Sequence, residues 1–147
     1  MSLTQASTDD DVQFMSKILY ANIVGIIMYS MICTIPDIAF SICTLRIFMD
    51  TPGKPHWHAL KWLIQYLSCS YNLSLYYGKH IDASEIPIGY VDADYVGNIN
   101  TIISLTGYVF IACGGPISWK CNMQSMVALS TMVSEYISLT EAVMEAL

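Results

Sequence analysis

Apolar runs and short polar breaks alternate along this chain, and the spacing inside each run changes from one half to the other. A polar leader, Met1 to Asp11, ends in consecutive aspartates and reads, with the residues up to 14, as a solvated tail. An uncharged apolar run follows from Ile18 to Pro36. Pro36 suits an early helical position after Thr34, which predicts a second helix from there to about Asp50. Pro and Gly between Thr51 and Lys54 break it. A third helix is expected from near Pro55, with Trp57, Leu60, Ile64 and Leu67 as an apolar stripe and Lys61 and Gln65 off it. Such a stripe reads as core, not as a cofactor-binding face.

Beyond residue 70 the period shortens to two. Leu73, Leu75 and Tyr77 alternate as a short strand before Gly78, and Lys79 to Glu85 is the expected linker and domain boundary. Ile86, Ile88 and Tyr90 alternate with Pro87, Gly89 and Val91, so Asp92 falls near the end of a half-buried strand. Thr106 to Cys113 is rich in β-branched and aromatic residues. Gly114-Gly115 then supplies a turn tolerant of positive φ, and Pro116 to Lys120 resumes an extended pattern, which together predict an antiparallel hairpin. Ser130 or Thr131 can cap a last helix running to Leu147, with Glu135 in its second turn and Leu139, Val143 and Ala146 at helical spacing. The expected class is α+β: a helical N-terminal segment, then three antiparallel strands and one helix. Packing that helix on the sheet would carry Glu135 towards Asp92.

Composition bears on solubility and partners. Of 147 residues 54% are hydrophobic, and the mean hydropathy of +0.48 is high for a soluble chain. The run from Ile18 to Pro36 approaches the length that spans a bilayer. Asn22, Ser30, Thr34 and Pro36 interrupt it, and no Lys or Arg cluster orients it, so a small membrane protein is the weaker reading. No secretory signal is expected, because the apolar run starts late and follows acids. A formal charge of −6, with Lys120 the only base after Lys79, opposes nonspecific attraction to phosphate backbones.

Candidate chemistry is sparse. His56 and His58 lie two apart, on nearly opposite sides of a helix, and read as helix-start and surface histidines; His80 in the linker adds nothing. Cys33, Cys43, Cys69, Cys113 and Cys121 are odd in number and lack a CxxC pair, which suggests reduced thiols and an intracellular protein, cytoplasmic or nuclear. No glycine-rich phosphate loop, Ser-His-Asp order or zinc spacing is present. Asp92, Asp94 and Glu135 remain. From spacing alone they read as a strand-end turn pair and a solvated helix carboxylate.

The segments GYVDADYVGN, SLTGYVFIACGGPISWK and MVALSTMVSEY resemble the start of the ribonuclease H domain in Pol polyproteins of copia-type retrotransposons. Upstream, MSKILYANIVGIIMYSMICTIPDIAF and PGKPHWHALKWLIQYL, followed by LSLYYG, are similar to the connection between the reverse transcriptase palm and that domain. The matches are colinear and cover most of the chain after residue 14. The resemblance implies a connection region over 15–80, a truncated ribonuclease H-like domain over 86–147, and a buried helix in the uncharged run. It implies a parent that hydrolyses the RNA strand of RNA:DNA hybrids with Mg²⁺, in which Asp92 matches the first catalytic Asp and Glu135 the catalytic Glu. Both would be metal ligands, and Asp94 has no assigned role. The family's remaining catalytic aspartates, and its later strands, follow beyond the last residue matched here. Two ions about 4 Å apart need a larger carboxylate cluster, and Mg²⁺ demands near-ideal octahedral geometry. The expectation is therefore an inactive fragment with vestigial ligands, weak nucleic-acid binding and no tightly held Mg²⁺. The rival is a noncatalytic protein that associates with itself or with intact Pol through an exposed sheet edge. Charge is lost relative to the family pattern at Ile35, Asn98, Asn100, Ile102, Ile103 and Val133; drift and selection for an apolar surface both account for that.

Overall fold

Helices come first and strands second. The computed structural model describes residues 9–78, 86–98 and 103–147, and the chain divides into two compact units at Ser74/Leu75. The class is α+β. Lys79 to Glu85, the expected linker, lies outside the described residues, as do His80, Asn100 and Ile102.

The first unit holds α1 (Asp9–Met15), α2 (Tyr20–Cys33), a 3-10 turn at Pro36–Ile38, α3 (Ala39–Arg46) and α4 (Lys54–Cys69). α1 lies where a solvated tail was expected. Met15 at its end is buried at 5% exposure, which gives the segment a packing anchor. α2 buries Tyr20, Val24, Ile27 and Met31, spaced four, three and four apart, so a single stripe faces its neighbours. The helix implied by the resemblance is buried along this stripe only: Ile26, Tyr29 and Ile32 on the rest of its surface are exposed. The Tyr20 hydroxyl donates to the Leu45 carbonyl at 3.0 Å, and burial pushes its pKa up to about 12.

The expected second helix is shorter than predicted. Pro36 opens the 3-10 turn, α3 runs only to Arg46, and turns bonded from Phe48 to Leu45 and from Met49 to Arg46 follow it. Among the described residues no helix is long and apolar enough to cross a membrane.

The buried stripe of α4 is His56, Leu60 and Leu63, not Trp57, Leu60, Ile64 and Leu67. Only Leu60 is common to both. The face turns because His56 is drawn inwards: its Nδ1 accepts the Gly53 N–H at 2.8 Å, and its ring stacks on Phe48 with centroids 4.0 Å apart. His56 lies at the helix start, as expected, but is fully buried, whereas His58 is exposed at the surface.

The second unit is a three-stranded antiparallel sheet in the order β1 (Ile88–Asn98), β2 (Ile103–Ala112), β3 (Gly115–Met123), covered by α5 (Thr131–Ala146). The hairpin turn is one residue earlier than the glycine pair suggests. Ala112 pairs with Gly115, so Cys113 (φ 55) and Gly114 (φ 75) are the two turn residues, both left-handed as a type I′ connection requires. Gly115 is needed for another reason: a Cβ there would lie 2.8 Å from the Tyr77 ring. Leu73 to Tyr77 forms no strand. Tyr77 and Gly78 are held beside the hairpin end instead, where the Gly78 N–H donates to the Cys113 carbonyl and the Tyr77 hydroxyl to the Pro116 carbonyl, each at 2.7 Å. Ser130 caps α5 by accepting the Val133 N–H at 3.3 Å.

Candidate functional site

α5 packs across β1 and β2, and strand alternation decides which side chains it meets. Thr106 on β2 is fully buried and its hydroxyl lies 3.0 Å from that of Ser138 on α5. Its partner across the ladder is Ala93, so Val91 and Ala93 share the helix-covered face. Asp92 pairs with Gly107 and Asp94 with Leu105. Both carboxylates therefore project from the face turned away from α5, from the middle of β1 and not its end. Both are exposed, and Asp92 Oδ1 accepts the N–H of its own neighbour Ala93 at 2.9 Å.

Glu135 is exposed on α5, one residue from buried Ser134. Asp92 thus stands on β1 and Glu135 on the helix that packs against it. Among the described residues no three His, Cys, Asp or Glu side chains gather where they could hold a metal ion. Two carboxylates are fewer than the donor set that a pair of Mg²⁺ ions needs.

The tightest chemistry in this unit lies under α5. Ser104, Thr106, Ser134 and Ser138 are buried, and Gln124 reaches among them. Its Nε2 lies 2.9 Å from the Ser134 carbonyl, 3.1 Å from Ser138 Oγ, and 3.2 Å from both Thr106 Oγ1 and Ser134 Oγ, while its backbone N–H donates to the Ser104 carbonyl at 2.9 Å. Gln124 Oε1 is buried with no hydrogen-bond partner. This network was not anticipated. Its sequence signal is the pair Ser134 and Ser138, one helical turn apart and continued by Ala142, which marks a face of small residues that lets a helix approach closely.

At the far end of α5, Ser118 donates to Glu145 Oε1 at 3.0 Å. Tyr108 stands nearby, and burial first, then the Glu145 and Glu141 carboxylates, pushes its pKa up to about 12. It is therefore a neutral hydrogen-bond donor at physiological pH, not a proton-transfer group.

Comparison with known proteins gives a consistent set of relatives. A retrovirus-related Pol polyprotein from transposon TNT 1-94 of Nicotiana tabacum is 44% identical over 127 residues, which is 86% of this chain and 9% of that protein. One from transposon RE2 of Arabidopsis thaliana is 32% identical over 80% of this chain and 8% of its own length. The chain thus spans less than a tenth of these polyproteins. The secreted RxLR effector protein 161 of Plasmopara viticola is 38% identical over 132 residues, and there the match covers 90% of this chain and 92% of the relative. No family model matches the chain, and no solved structure does.

Proposed function

The chain belongs to the family that comprises this segment of retrovirus-related transposon Pol polyproteins and the secreted RxLR effector protein 161, and from that premise we propose that it is a copia-type Pol fragment: a reverse transcriptase connection region followed by the first part of a ribonuclease H-like domain. The observation that carries this reading is the 44% identity over 86% of the chain, which runs through both units. The order of strands and helix supports it, since Asp92 stands on the first strand and Glu135 on the helix that follows the hairpin. The parent activity is Mg²⁺-dependent hydrolysis of RNA in RNA:DNA hybrids, with Asp92 and Glu135 as inherited ligands. The 147 residues alone hydrolyse no hybrid, because two carboxylates are too few to seat two ions. The scattered cysteines support an intracellular chain.

The test is restoration. Joined to the downstream part of the TNT 1-94 polyprotein, the chain is expected to cleave RNA:DNA hybrid with Mg²⁺, and Asp92→Asn or Glu135→Gln to lower the rate by a factor of about 100 or more. A folded chimera indifferent to both substitutions removes the site assignment. Cleavage by the isolated chain that is lost in Asp92→Asn overturns its inactivity.

A second reading, a noncatalytic interaction protein, is favoured by the effector relative, which has nearly this chain's extent. The exposed Met132, Tyr136, Leu139 and Val143 of α5 offer it an apolar surface, and β1 is an edge strand. Arg46 is the single arginine, so these 147 residues contain no RxLR motif. Light scattering tests the reading: assembly that grows with concentration and is reduced by Ile103→Lys supports it, and a monomer at all concentrations rejects it.

A further inference from the structure

The first unit contains a groove that neither reading uses. It measures about 640 Å³, within the range of small-molecule sites, and lies between the segment that begins at Asp37 and the middle of α4. Asp37 and Phe40 line one wall at i, i+3 spacing, and Trp62 and Tyr66 the other at i, i+4. The Tyr66 hydroxyl donates to the Asp37 carboxylate across the groove, and that bond and the carboxylate's charge raise the Tyr66 pKa, so the phenol stays neutral. Trp62 lines the groove yet is 76% exposed, and Phe40 is 56% exposed, which leaves aromatic surface open to a ligand. None of the lining residues is basic.

We propose that this groove binds an organic cation carrying an alkylated ammonium group. Aromatic rings present negative faces, and Trp is the strongest of them towards a cation. The Asp37 carboxylate adds negative charge at the facing wall and repels anions. An alkylated ammonium suits the combination better than a small inorganic cation, because its methyl groups fill apolar space and it sheds little hydration on entry. A neutral apolar ligand fills the groove but takes nothing from the carboxylate. The site lies wholly in the first unit, so it stands or falls apart from the proposed role of Asp92 and Glu135.

Choline and its uncharged carbon isostere, 3,3-dimethyl-1-butanol, separate charge from shape. The protein carries three tryptophans, so titration followed by the indole N–H signals reports Trp62 against Trp57 and Trp119 within the same molecule. Choline is expected to shift the Trp62 signal saturably and to bind about tenfold more tightly than the alcohol. Trp62→Ala and Asp37→Asn should each weaken binding about fivefold, Asn still accepting the Tyr66 hydroxyl. Both positions are exposed, and a thermal melt verifies that each variant is folded. Nα-acetyl-trimethyllysine amide, run beside choline, distinguishes a free small cation from a modified lysine side chain: the tighter of the two names the source. Equal affinity for choline and the alcohol, a linear unsaturable shift, or binding unaffected by both substitutions overturns the proposal.

Discussion

In the first unit α2 meets its neighbours through Tyr20, Val24, Ile27 and Met31, whereas α5 in the second meets its sheet through Ser134, Ser138 and Ala142. The large apolar side chains of α5, Met132 at 80% exposure and Tyr136 at 74%, lie on its outer surface. The two helices are thus buried by different chemistry. One gains from removing hydrocarbon from water, about 25 cal/mol per Å²; the other gains from close approach and from hydrogen bonds between hydroxyls and the N–H donors of one amide. High hydrophobicity in a sequence does not locate its core.

The largest loss of stability is expected in the aliphatic unit. Leu60 is fully buried on α4, and Leu60→Ala is expected to cost about 2–5 kcal/mol, read as a lower urea midpoint for Trp57 and Trp62 fluorescence in a Trp119→Phe background. A loss under about 1 kcal/mol would mean that this core is not close-packed. In the polar unit, Gln124→Met keeps side-chain volume but takes the two N–H donors of Nε2 away from the Ser134 carbonyl and the surrounding hydroxyls. The expected cost is about 1–3 kcal/mol, read from Trp119. A stabilised variant would show that the orphaned Gln124 Oε1 outweighs the bonds made by Nε2.

The smallest effect expected is a pH response confined to the first unit. Burial lowers the His56 pKa, and the bond it accepts from Gly53 needs the lone pair of a neutral ring. The unfolded chain then holds more protons than the folded one below the ordinary histidine value of about 6.5. His56 therefore contributes stability that is fully present above about pH 6.5 and is lost as pH falls towards its lowered folded value. The midpoint reported by Trp57 and Trp62 should drop between pH 7 and 5.5, and His56→Asn should flatten that slope. An unchanged slope in the variant assigns the response elsewhere.

What could be read in advance follows how much contrast each segment carries. The hairpin was legible because β-branched residues flank a glycine pair, and the α5 start because Ser130 is a strong cap. The face of α4 was not, because Trp57, Trp62, Ile64 and Tyr66 are as apolar as the buried Leu60 and Leu63, and the inward turn of His56 depends on Gly53 and Phe48. The network around Gln124 was hidden for the opposite reason: serine, threonine and glutamine give no hydrophobic period. Asp92 and Glu135 were found by resemblance and lie on the expected elements. The face that Asp92 takes follows from the pairing of its neighbour Ala93 with Thr106, a register that one strand's sequence does not specify.

The hydroxyl-lined seam beneath α5 also governs what happens when that helix lifts during a local opening. The sheet surface then uncovered presents Ser104, Thr106 and Gln124 to solvent, groups that water can bond at once, instead of a bare aliphatic sheet. Such an excursion is cheap to make and offers little for another chain to stick to. Amide protons along α5 should accordingly exchange ahead of those in α2, whose release would wet hydrocarbon.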